Sequence, residues 1–239
     1  MIKQLLFPLF LASSPVLADS GSRLIASGGI TGFEGTAGGG ITPWAFIGGY
    51  TSKEEVSYSA NIQYLSLSDY SLTTAGASVS LFDRIERSVQ RQRLDIASGL
   101  TSNVFALLTE GAITNANSTT IEQDIIGAKV KVLGDGVFTQ NSWIPQVSIG
   151  AQYKKNRDYD SALSLPDGTT PLPGVGVPML LGAKDDSGTD VYLSATKLWL
   201  GTPSGYNLLT NLTAAYVDLG NLPLQESSSG FYLTVNSTF

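Results

Sequence analysis

The chain has 239 residues, 14 Lys+Arg against 20 Asp+Glu, a formal net charge of −6, and neither cysteine nor histidine. A net acidic chain lacks the basic surface that phosphate backbones require, so no nucleic-acid partner is expected. Without cysteine there is no disulfide frame, thiolate metal site or thiol nucleophile; without histidine the commonest metal ligand and general base are gone.

The opening stretch, MIKQLLFPLFLASSPVLA, carries one cation, Lys3, then an apolar run from Leu5 to Leu11 and the small-residue close Val16-Leu17-Ala18. That is a secretory signal pattern over 1–18, with cleavage expected after Ala18 and a single domain over 19–239. A spanning helix needs about 20 apolar residues, and Pro8 and Pro15 interrupt this run. Residues 22–42 are glycine-rich and read in two ways, as a first strand near 22–30 or as a segment folded inward as a plug.

From there the recurring signal is a period of two. VSYSANIQYLSL sets Val56, Tyr58, Ala60, Ile62 and Tyr64 against Ser57, Ser59, Asn61 and Gln63. AGASVSLF, IGAKVKVL, PQVSIGAQYK and NLTAAYV repeat the pattern downstream. Such alternation is the mark of strands with one apolar and one polar face. Strands are expected near 22–30, 43–50, 56–66, 74–82, 93–101, 125–133, 145–154, 190–200, 209–217 and 230–239. That makes about ten, within a range of eight to twelve.

Two architectures bury such strands. A soluble sandwich hides the apolar faces between two sheets. An up-and-down antiparallel transmembrane β-barrel turns them outward to lipid. Charged residues are only 14% of the chain, and the polar faces are rich in hydroxyls and amides rather than Lys/Glu pairs. Aromatics fall near strand ends, at Trp44, Tyr50, Tyr64, Trp143, Tyr153, Trp199, Tyr216, Phe231 and Phe239, as the two interfacial girdles of a bilayer require. With both termini periplasmic, the two longest connections, 102–124 and 155–189, fall outside the cell, which is the barrel rule. The reading is therefore all-β, a transmembrane barrel in the bacterial outer membrane.

The last residues, GFYLTVNSTF, place Phe231, Leu233, Val235 and Phe239 on one parity and end the chain on an aromatic. This resembles the signal read by the barrel-assembly machinery, apart from Ser237, which stands where another apolar residue is usual. Outer-membrane lipid and that machinery are the expected partners.

Arg91, Arg93 and Asp95 share one strand face, and Lys129 and Lys131 share the inward face of the next. As lumenal charges they read either as a basic constriction that selects anions or as an internal network of ion pairs. A barrel of about ten strands is narrow, which favours the network.

No enzyme is expected. The carboxylate pairs Asp158/Asp160 and Asp185/Asp186 fall in a surface connection and read as solvated charge. KDDSGTD (184–190) has the oxygen spacing of a calcium loop without its downstream bidentate Glu. No cofactor or metal is assigned.

The blocks SRLIASGGITGFEGTAGGGITPWAFIGGY, SLFDRIERSVQRQRLDIASG, QDIIGAKVKVLGD, SWIPQVSIGAQYKKN, GTDVYLSATKLWL and TAAYVDLGNL follow one another along nearly the whole of 19–239. In that order they resemble the proteobacterial family called domain of unknown function 3034. The resemblance implies an outer-membrane β-barrel and brings no activity, substrate or catalytic residue. The function expected is a small passive channel or transport barrel. The alternatives are a structural barrel whose outer loops bind a partner and a soluble periplasmic β-sandwich binder.

Overall fold

The computed structural model describes residues 31–40, 42–50, 54–99, 102–103, 106, 119–160, 163–164, 171–172, 177–180, 185–201, 207–217 and 228–238. The chain is all-β. Eight strands form one antiparallel sheet: β1 (Val56–Ser66), β2 (Tyr70–Leu81), β3 (Ile85–Ile96), β4 (Thr119–Leu133), β5 (Gln146–Asn156), β6 (Ser187–Trp199), β7 (Asn207–Val217) and β8 (Ser228–Thr238). Each pairs with its sequence neighbour, so the sheet is an up-and-down meander with β1 and β8 as its edges. Among the described residues no ladder joins those edges. One irregularity interrupts the registers, between Lys131 and Leu133 of β4.

The connections sort by end. Those at 82–84, 134–145 and 200–206 leave one rim, called here the turn rim; 67–69, 97–118, 157–186 and 218–227 leave the other. The two longest, 97–118 and 157–186, share the second rim, as the sequence led one to expect.

The sheet is curled, and residues 31–50 pack on its concave face. This segment bonds to β1, where Gln63 Nε2 donates to the Thr31 carbonyl (2.6 Å), and to β7, where Thr213 Oγ1 donates to the Pro43 carbonyl (2.8 Å). Laid flat, six inter-strand gaps would span roughly 29 Å. A short folded segment reaches both ends only because the sheet wraps around it.

Polarity is inverted relative to a water-soluble fold. The polar residues of each strand face the concave side and are buried: Ser148, Ser194 and Thr213 are 0% exposed. The apolar residues cover the convex side, where Tyr58 and Ile62 keep 74% and 79% of their surface open. Ile126, Val130, Ile149, Leu193 and Leu212 continue that exposed apolar face around the sheet.

Three expectations are corrected. No sheet strand forms at 43–50. Thr42–Pro43 pairs only with Gly38–Gly39, and Gly48–Tyr50 is a 3-10 turn in which Gly49 takes φ 80°. The segment's backbone groups bond instead to side chains of the sheet, so 31–50 is the folded-in element that the glycine-rich reading allowed. Trp44 accordingly lies inside, 7% exposed, and not in a girdle. The third strand starts at Ile85, not near 93, because a tight turn at 82–84 precedes it. That turn is made by Phe82 (φ 56°) and Asp83 (φ 51°), neither of which is the glycine or asparagine that marks a left-handed turn in sequence. The expected strand at 22–30, the leader 1–18 and Phe239 lie outside the described residues, as do the side chains of Tyr50, Tyr216, Phe231, Leu233 and Val235.

Candidate functional site

Among the described residues, buried charge gathers on the concave face. Glu86 of β3 and Lys129 of β4 are directly opposite in the ladder and form an ion pair, Nζ to Oε1, at 3.1 Å. Both side chains are buried. Each also holds the inserted segment. Glu86 accepts the Ala37 N–H on Oε1 (3.1 Å) and the Gly48 N–H on Oε2 (2.6 Å). Lys129 donates to the carbonyls of Ala37 (3.3 Å) and Trp44 (3.2 Å). A buried ion pair is stable only when its remaining lone pairs and protons are satisfied, and here the backbone of residues 37–48 satisfies them.

The same logic extends around the sheet. Gln92 donates to the Phe33 carbonyl (2.9 Å). Lys154 bridges Glu34 of the segment (2.5 Å) and Asp190 of β6 (2.7 Å). At Ala45, the carbonyl accepts from Gln146 Nε2 (2.7 Å) and Ser148 Oγ (2.5 Å), while the N–H donates to Thr196 Oγ1 (2.7 Å). Thr196, Asn211 and Thr213 then form a chain that ends on the Pro43 carbonyl. An irregular backbone segment can be buried only if its polar groups find partners. The hydroxyl- and amide-rich strand faces supply them.

Apolar packing completes the seat. Ala37, Trp44, Ala45 and Ile47 of the segment are buried, and Trp44 meets Phe46 edge-on with ring centroids 6.2 Å apart. Tyr192 of β6 lies over its ladder partner Gly150 of β5, where an added Cβ would meet the ring at 2.2 Å. Glycine there makes room for the ring.

Lys129 and Lys131 stand on the concave face; Lys131 pairs with Asp83 of the 82–84 turn. Arg91, Arg93 and Asp95 do not join them, which corrects their reading as lumenal charges. On β3 the buried positions are Glu86, Ser88 and Gln90, and the arginines alternate with these on the convex side. There Arg91 grips Asp124 with Nε (2.7 Å) and Nη2 (3.0 Å), Arg157 reaches the same carboxylate (2.8 Å), and Arg93 contacts Asp95 (3.1 Å). The face of β3 is hard to read in sequence because its few apolar residues change parity: Val89 is odd, Leu94 and Ile96 are even. The alternation Glu86, Ser88, Gln90, Gln92, matching the polar faces of the other strands, is the signal that points to Glu86.

At this second rim an open cleft of about 700 Å³ is lined by Asp124, Lys155, Arg157, Asp160 and Asp185, among others. Its cations are already paired, Arg157 with Asp124 and Lys155 with Asp186 (3.5 Å). Asp158 accepts the Glu122 N–H (2.6 Å), and Asp190 of the calcium-like stretch pairs with Lys154. The turn rim exposes the aromatics Phe82, Phe138 and Trp143, the last meeting Trp199 in a tilted contact with ring centroids 4.9 Å apart.

These features define a class, an all-β protein whose half-barrel sheet wraps a folded-in N-terminal segment held by buried charge. A family model described as protein of unknown function (DUF3034) matches residues 27–214, which takes in the inserted segment and the sheet into β7, and the chain belongs to that family. No curated protein and no solved structure matches the chain.

Proposed function

We propose that the protein is an outer-membrane β-barrel whose interior is occupied by its own residues 31–48, making it a closed or gated barrel rather than an open pore. The inverted polarity carries the reading. A continuous apolar face of Tyr, Ile, Val and Leu is exposed while serines, threonines, glutamines and an ion pair are buried. In water that arrangement wastes the hydrophobic effect; in a bilayer it satisfies it. Strand length supports it, since about 9–11 tilted residues cross a membrane and the eight strands run from 11 to 15 residues. So do the aromatic turn rim and the longer connections at the other end. Closure of β1 against β8 belongs to the proposal, because an open edge in lipid would leave backbone groups unpaired.

The seat of the segment bears on transport. Ion selection by free lumenal cations does not fit Lys129, whose protons go to Glu86 and to the segment's carbonyls. The expected result in planar bilayers is a quiet wild type and frequent openings in Glu86→Gln, which keeps the shape of the side chain but surrenders its charge. A steady wild-type conductance equal to that of the variant would show that 31–48 does not block the path. Failure of the protein to enter vesicles at all would overturn the barrel itself.

A further inference from the structure

We propose that the stretch 82–87 at the turn rim is a binding site for the phosphate of a membrane glycerophospholipid, with Phe82 as its interfacial anchor. The proposal rests on the barrel reading and goes beyond it. Three observations within six residues find no account inside the chain. Arg84 and Arg87 are both exposed, and among the described residues neither has an ion-pair or side-chain hydrogen-bond partner. Every other lysine and arginine among the described residues is engaged: Arg91, Arg93, Lys129, Lys131, Lys154, Lys155 and Arg157 in ion pairs, and Lys197 on the Thr139 carbonyl (2.7 Å) and over the Trp199 ring.

Arg87 is also in the wrong place for water alone. It stands on the convex face between its ladder partners Val79 and Ala128, one step along from Val89. An arginine facing hydrocarbon is costly at the bilayer midplane, and the cost falls away towards the interface. Small neighbours leave its stem free to lie along the sheet towards the rim, where Arg84 stands roughly 10 Å away along the strand.

The third observation is Phe82. The 82–84 turn takes positive φ at this position (56°), which asparagine or glycine would supply with less strain, yet a phenylalanine stands there and keeps 53% of its surface exposed. An aromatic held outward at a rim, with Arg84 two residues further on and Arg87 on the convex face beyond it, matches the boundary where acyl chains meet phosphates. Guanidinium pairs bind phosphate oxygens through paired N–H donors.

The test uses the full mature chain in detergent, with lipid retention read by native mass spectrometry. Phosphatidylglycerol is the probe, diacylglycerol the control without phosphate, and inorganic phosphate the soluble competitor. Wild type is expected to retain phosphatidylglycerol, with no retention of diacylglycerol and no displacement by millimolar inorganic phosphate. Arg84→Gln/Arg87→Gln should lower retention at least tenfold, whereas Arg91→Gln/Arg93→Gln, which removes the same charge at the opposite rim, should leave it unchanged. Phe82→Asn suits a left-handed turn and so should fold at least as well, while weakening retention several-fold. Equal retention by wild type and the 84/87 variant, equal loss in both double variants, or displacement by inorganic phosphate overturns the site. Flotation with neutral phosphatidylcholine vesicles separates the two claims. A protein that floats but shows no such preference sinks this proposal alone; one that does not float sinks the barrel and this site with it.

Discussion

Glu86→Ala is expected to lower the stability of the folded protein by about 3–5 kcal/mol, the usual consequence of removing one partner from a buried ion pair. The measurement is the urea midpoint in lipid vesicles, followed by tryptophan fluorescence. The variant strands the Lys129 ammonium and deprives the N–H groups of Ala37 and Gly48 of their acceptors. A second variant separates the roles of the pair. Replacing a buried ion pair by apolar residues of similar volume is often neutral or stabilising when the pair serves only itself. In Glu86→Leu/Lys129→Met the Ala37 N–H, the Gly48 N–H and the Trp44 carbonyl would lose the partners seen here. Each buried group left unsatisfied costs about 1–3 kcal/mol, so the double variant should remain clearly destabilised. A double variant as stable as wild type would mean that the pair does not latch the segment.

Val130→Arg carries the second large effect. Val130 lies in the convex run Ile126, Ala128, Val130, Val132 and is 45% exposed. Facing hydrocarbon, arginine there should destabilise by about 2–4 kcal/mol. Facing water, a surface substitution of this kind stays within about 0.5 kcal/mol. The two environments therefore predict different urea midpoints for one variant, with Val130→Ile as a near-neutral control. Tolerance of the arginine would place this face in water.

What could be read in advance follows from how strictly each strand alternates. β1 alternates strictly from Val56 to Tyr64 and β7 alternates from Asn211 to Tyr216, and their positions are legible within two residues. β3 mixes parities and begins after a turn without glycine, so both its start and its face were missed, and Arg91, Arg93 and Asp95 were assigned to the wrong side. That Lys129 and Lys131 share a face opposite Val130 and Val132 is legible from the strict alternation there. Their partners were not legible. Glu86 lies 43 positions away in sequence, and which cation meets which anion depends on inter-strand register, set here by the 82–84 turn. The inserted segment was visible only as an excess of glycine. Its path depends on scattered glutamines, serines and threonines from β1 to β7, each unremarkable where it stands.

The central claim, that the apolar convex face meets lipid and the polar concave face does not, has a direct test because the chain contains no cysteine. Single cysteines at Ile149 and Leu193 on the convex face, and at Ser59 and Ser78 on the concave face, can be labelled with an environment-sensitive fluorophore in vesicles. Ser59 and Ser78 face one another at 2.7 Å, so both report the interior. The account predicts strong quenching of the 149 and 193 labels by lipids brominated in mid-chain, little by aqueous iodide, and no lipid quenching at 59 and 78. Iodide quenching at 149 and 193 without lipid quenching would contradict it.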